Sequence, residues 1–175
     1  MRKYYIIIFL FLLCSCTINS PTIVVEDYLN YYQNLNDEIL LNVDKIVDEE
    51  KGYNGNQKEI YKKILRRQYS NLKYHVIDEN IKKDTAYVRV EIEVYNFYYV
   101  EKIVKEHLKN NIEDFYNENN VYDISKYIDY KLDKYLNNKI RIKYEIEFKL
   151  YKDDNGWNIE YINEDILKKI HGIYK

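Results

Sequence analysis

The stretch Lys139–Ile162, KIRIKYEIEFKLYKDDNGWNIEYI, limits this chain more than any other. Ile140, Ile142, Tyr144, Ile146, Phe148 and Leu150 fall on one side of an extended backbone. Lys139, Arg141, Lys143, Glu145, Glu147 and Lys149 fall on the other. A period of two with one dry side is the pattern of a strand with a buried face, and β-branched and aromatic residues suit it. The run stops at Asp153-Asp154-Asn155-Gly156. Asn-Gly between two alternating runs predicts a type I′ hairpin, whose two central residues need positive φ. The return run puts Trp157, Ile159 and Tyr161 together, with Asn158 and Glu160 opposite. At about 3.3 Å per residue the first strand spans about 40 Å, so it must twist and is expected to bend at a bulge. A sheet with one apolar face needs a second layer, which helices have to supply.

Upstream, the helical period dominates. Ser20 and Pro21 are a cap and a first helical residue, followed by a stripe of Val25, Tyr28, Leu29, Tyr32 and Leu35. Asn36 caps a second helix that ends near Lys51-Gly52. A third is predicted from Asn56, with Glu59 completing a capping box and Arg66 and Arg67 on an exposed flank. Lys73–Asp78 and Thr85–Tyr95 read as strands around a turn at 78–84. The second alternates Ala86, Val88, Val90, Ile92 and Val94 against Tyr87, Arg89, Glu91, Glu93 and Tyr95. Asn96–Asn138 is helical again, broken at Asn117–Asn120. After the late hairpin, Asn163 caps a last short helix that Gly172 can terminate. The fold class is therefore α+β. The 175 residues suit one domain, and no linker or boundary follows Ser20.

The N-terminus reads as an address. Arg2 and Lys3 precede the apolar run Tyr4–Leu13, which is shorter than the ~20 residues that span a bilayer. A basic start, a short apolar core and small residues form a secretory signal. Leu13-Cys14-Ser15-Cys16 resembles the bacterial lipobox, in which a small residue precedes the cysteine that receives diacylglycerol. That resemblance makes residues 1–15 a signal peptide, Cys16 the lipidated residue and residues 16–19 the cysteine with a short tether. It places the mature chain on the outer face of the cytoplasmic membrane, where several acyl chains give stable anchoring. Cys14 would leave with the signal and Cys16 would carry the lipid. No free thiol then remains for disulfides, metal sites or nucleophilic chemistry. Cleavage also removes Arg2 and Lys3. That leaves 25 of the 27 basic residues against 29 acidic ones, a net charge of −4. Such a charge offers nothing to attract nucleic acid.

The order of helices, hairpin and long hairpin, with Asp154-Asn155-Gly156-Trp157-Asn158-Ile159 at its end, resembles the NTF2-like (cystatin-like) fold. Many small bacterial lipoproteins use it. Leu167–Tyr174 is similar to the tail of uncharacterised lipoproteins from low-GC Gram-positive bacteria. The resemblance implies a cone, a curved antiparallel sheet packed on the N-terminal helices, within a single domain over 20–175. Asn96–Asn138 departs from the family as a helical insertion between the two hairpins, a lid or a plug for the cone. Members of the family often dimerise through the outer sheet face. Here that face is charged, so a monomer or a polar homodimer is expected.

No linear motif supplies chemistry. His-Glu-x-x-His, EF-hand spacing, a phosphate loop and Gly-x-Ser-x-Gly are all missing. No catalytic residue, metal ligand or cofactor is assigned. The inward sheet positions are apolar. Tyr144 and Tyr161 can offer hydroxyls to a pocket or simply pack. His107 lies on the apolar stripe of the insertion, as a boundary histidine or a general base. His75 has no sequence partner, and His171 suits a helix end. Tyr95, Phe97, Tyr98 and Tyr99 cluster before the insertion, to stack on a ligand or to close the cone. The ligand-binding candidates are thus Tyr95, Tyr98, Tyr99, His107, Tyr144 and Tyr161. The leading expectation is a non-catalytic domain that binds an envelope protein or a small envelope ligand. The alternative is an acid/base isomerase or hydrolase working inside the cone.

Overall fold

The computed structural model describes residues 20–175. The signal peptide expected over 1–15, Cys16 and the tether lie outside the described residues. Three helices come first: α1 (Pro21–Gln33), α2 (Asp37–Glu49) and α3 (Gly55–Ser70). The hairpin β1 (Lys73–Lys82) and β2 (Thr85–Tyr95) follows, then α4 (Phe97–Asn110), a 3-10 turn at Ile112–Phe115 and α5 (Ile124–Asn137). The long hairpin β3 (Arg141–Asp153) and β4 (Gly156–Ile159) precedes α6 (Glu164–His171). The four strands form one antiparallel meander in the order β1-β2-β3-β4.

Capping fixes the helices where polar side chains meet orphan N–H groups. Ser20 accepts from the Ile23 N–H, Asn36 from that of Ile39 and Asn163 from that of Ile166. The third helix starts two residues earlier than the sequence suggests. Asn54 and Gln57 form the capping box, and Asn56 lies inside the helix. Glu59 cannot play that part because the Gln57 amide already closes the box and also reaches α5. The first strand runs to Lys82, past the expected end at Asp78, because Ile77 bulges out between Val76 and Asp78 and the pairing resumes beyond it. The late turn also differs. Asp154 and Asn155 are its central residues, neither has positive φ, and Gly156 alone takes +122°. The Asp153 carboxylate accepts from the Asn155 N–H at 2.8 Å, which favours this turn over the type I′ form.

The alternation decides the layers. Ala86, Val88, Val90, Ile92 and Val94 are all fully buried, facing Ile146, Phe148 and Leu150 from β3. Val25, Leu29, Val43, Val47, Leu65, Tyr69 and Ile170 from the helices complete this core, and Trp157 closes one side. The opposite sheet face carries a cross-strand ladder of charges. Asp78 pairs with Arg89, Glu91 with Lys143, and Glu93 with Arg141.

The insertion has its own core. Ile64 from α3 packs with Phe97, Val100 and Val104 of α4 and with Ile128, Leu132 and Tyr135 of α5. It lies against α3 and is bonded to it at several points. The Gln57 amide nitrogen donates to the Ser125 carbonyl and to the Asp129 carboxylate. Arg67, which the sequence places on an exposed flank, donates to the carbonyls of Tyr135, Leu136 and Asn138 and closes the C-terminal end of α5.

Candidate functional site

Where the insertion, α3 and the C-terminal tail meet, they enclose an open cleft of about 560 Å³. Its floor is aromatic, made of Tyr61, Tyr98 and Tyr135, with Ile173 at one wall. Its rim is ionic: Lys102 and Lys105 stand on α4, Lys131 on α5 and Glu50 just after α2. Helical spacing creates this grouping. Glu101 and Lys105 are one turn apart on α4, as are Lys131 and Tyr135 on α5, and the packing of α4 on α5 brings the two pairs together.

Glu101 is the centre of the cleft. The Tyr135 hydroxyl donates to its Oε1. The Lys131 ammonium lies 3.0 Å from the same oxygen, and Lys105 lies 3.7 Å from Oε2. Burial works to raise the pKa of Glu101. The Tyr135 hydroxyl and the two lysines outweigh it, so the carboxyl titrates below its ordinary range. Burial works to lower the pKa of Lys131, and Glu101 reverses that, so the amine titrates above its ordinary range. Burial first, then the Glu101 charge, raises the Tyr135 phenol, and burial chiefly raises Tyr61. At neutral pH the cleft therefore holds a locked carboxylate–ammonium pair between neutral phenols. It can donate hydrogen bonds from amines and hydroxyls. Each of these four shifts moves its group away from proton exchange near pH 7.

Of the residues singled out in the sequence, Tyr98 lines this cleft. The others are spread over the molecule. The Tyr95 ring lies between two guanidinium groups, Arg67 at 4.6 Å and Arg141 at 4.8 Å, and its backbone is held by Gln68. Tyr99 is exposed, with its N–H on the Asn96 side chain. His107 stacks on Tyr130 with centroids 4.6 Å apart and bonds Asp114 at 2.9 Å, away from the cleft. Tyr144 donates to the Tyr174 carbonyl at 2.8 Å. Tyr161 lies past the end of β4 and is 72% exposed. Glu101, Lys131, Tyr135 and Tyr61 escaped the sequence reading. Their trace there is the i, i+4 spacing of charges on α4 and the place of Tyr61 and Tyr135 on the apolar stripes of their helices, which any packed helix also shows.

The space between sheet and helices is packed by apolar side chains. His171 stands at its border, with Nδ1 2.7 Å from the Tyr69 hydroxyl. Burial lowers its pKa to about 4. Among the described residues, no group of three or more His, Cys, Asp or Glu side chains is placed to hold a metal ion. Nor, among them, is any helix long and apolar enough to cross a membrane.

No family model matches the chain, and no curated protein matches it. One solved structure resembles it in part: the Bacillus subtilis protein YcdA, assigned as a lipoprotein, at 12% identity and a TM-score of 0.43. The match covers 83% of this chain and 45% of that one, so this chain spans less than half of its length. A likeness of that degree carries no argument about fold family or activity.

Proposed function

We propose that the chain is an extracytoplasmic lipoprotein anchored through Cys16. Its described part is a single NTF2-like domain that binds a cell-envelope ligand or protein at the Glu101 cleft without transforming it. The anchor rests on Leu13-Cys14-Ser15-Cys16 after a basic, apolar leader. The cone reading rests on helices that precede an antiparallel meander with one dry, curved face.

One observation favours binding over catalysis. Glu101, the half-buried carboxylate of the cleft, is already engaged at Oε1 by Tyr135 and Lys131 and is held ionised by them. A general base needs a pKa near the working pH, and Glu101 is held below even the ordinary carboxylate range. The interior of the cone, where an acid/base residue would stand, is filled by Val88, Val90, Ile92, Ile146 and Phe148.

Two measurements test the reading. Full-length chain and a Cys16→Ala variant, expressed in a Gram-positive host with a clickable palmitate analogue, should differ. The parent is labelled and sediments with membranes; the variant is unlabelled. Equal labelling of the two overturns the anchor. A photo-crosslinking residue in place of Tyr98 should capture a discrete product in intact cells, and one in place of Tyr161 should not. Identical products from both positions overturn the cleft as the binding site.

A further inference from the structure

We propose that the cleft is presented away from the bilayer and takes an anionic, water-borne solute rather than a membrane lipid. This rests on the acylation of Cys16 proposed above. Ser20, the cap of α1, follows Cys16 by four residues, so the chain between them reaches at most about 14 Å. The first turn of α1 is fastened to the turn end of the early hairpin: the Thr22 N–H and hydroxyl donate to Glu79 at 2.8 and 2.6 Å. Glu79 lies opposite Val88.

The cleft is at the other end of that strand. Tyr95 ends β2, and Tyr98 follows in the first turn of α4. The Tyr98 N–H donates to the Gly172 carbonyl at 2.8 Å, which brings Ile173 to the cleft wall. Val88 to Tyr95 is seven residues, about 23 Å of extended strand. The anchored end and the cleft are therefore farther apart than the tether can reach. An upright domain keeps its hairpin turns at the membrane and its cleft in the aqueous space.

The lining supports the same choice. An acyl chain needs an apolar slot, because polar walls lose hydration against it. Here three lysine amines outnumber the two carboxylates, Glu50 and Glu101, around tyrosine rings, and Ile173 is the single aliphatic side chain among the lining residues. Lys131 is engaged by Glu101, while Lys102 has no carboxylate partner within ion-pair distance among the described residues. The amines donate to carboxylate or phosphate groups, and the rings supply a flat apolar floor for the body of the ligand. A phosphate on a lipid headgroup and one on a free solute share that chemistry. The position of the cleft separates them.

The test uses the full lipidated chain, purified from the expressing bacterium, with single cysteines introduced as Asp84→Cys at the β1–β2 turn or Glu106→Cys on α4, exposed beside the cleft lysines and outside its lining. Each is labelled with a fluorophore. The protein is bound to phosphatidylcholine vesicles that contain a lipid with a quencher on its headgroup. The label at 84 should be quenched several-fold more than the label at 106. Equal quenching, or stronger quenching at 106, overturns the proposal while leaving the anchor intact. Failure of both proteins to sediment with vesicles overturns the anchor and the proposal with it. Added phosphatidylglycerol vesicles carrying the same quencher that quench the label at 106 by docking on the cleft would overturn the choice of a water-borne ligand. Inorganic pyrophosphate that alters the emission at 106 and leaves 84 unchanged supports it.

Discussion

Gly172 joins the last helix to the rest of the fold, and replacing it separates two physical costs. Its φ is +73°, a region in which a Cβ costs about 1–2 kcal/mol. Gly52, at φ +84°, carries the same penalty. The surroundings differ. A Cβ on Gly52 would sit 3.8 Å from Ile124 and Ile128, in ordinary contact. A Cβ on Gly172 would fall 2.1 Å from the Tyr95 carbonyl oxygen and 2.6 Å from the Gln68 amide nitrogen. One neighbour is backbone and the other is a buried side chain bonded to that backbone, so α6 must move away. Overpacking of this kind adds about 1–3 kcal/mol, and a lower unfolded-state entropy offsets about 0.5 kcal/mol in both variants. Gly52→Ala should thus cost about 1 kcal/mol and Gly172→Ala about 3. With a urea slope of about 2 kcal/mol/M the midpoints fall by about 0.5 and 1.5 M. The assay is urea unfolding followed by fluorescence of Trp157, the single tryptophan, which is 6% exposed in the main core. Equal midpoint shifts for the two variants would refute the close approach at Gly172.

Gln68→Leu should destabilise by about 2–4 kcal/mol, since it leaves the buried N–H and carbonyl of Tyr95 without the amide that bonds both; a loss below about 1 kcal/mol in the same urea titration would contradict that pairing. In the cleft, Glu101→Gln and Lys131→Met should each destabilise, and their double-mutant cycle should show a favourable coupling of about 1–3 kcal/mol, because either change alone strands a partly buried charge. Additive effects would mean that the pair is solvated. His171 gives a pH signature. Its folded pKa of about 4 lies below the unfolded value of 6.5, so the unfolded chain binds the extra proton. Stability is complete above pH 6.5 and declines as pH falls toward 4, with a slope of up to about 1.4 kcal/mol per unit. His171→Gln should flatten that part of the profile, and an unchanged profile would show that the ring is not shielded.

The sequence by itself determined the elements and their dry faces. Strict alternation in Ala86–Val94 and Ile142–Leu150 fixes which side chains turn inward, because the strand period of two admits one solution once a face is apolar. Ser20, Asn36, Asn163 and Gly172 mark helix ends through local hydrogen bonds that need no distant partner. Local signals also compete, and there the sequence was ambiguous. Asn54 and Asn56 are both good caps, and Gln57 selected the first by bonding back to it. The Ile77 bulge could not be read either, since it depends on pairing with β2. Tertiary structure alone decided the site. Arg67, Gln57 and Gln68 look like solvated helix residues, yet each reaches across 27 or more positions to satisfy a backbone or side-chain group on another element. Glu101 and Tyr135 are 34 residues apart on separate helices. A carboxylate, an amine and a phenol converge there only because Phe97, Val100 and Leu132 pack α4 on α5, and a convergence made by packing leaves no spacing in the chain to be read.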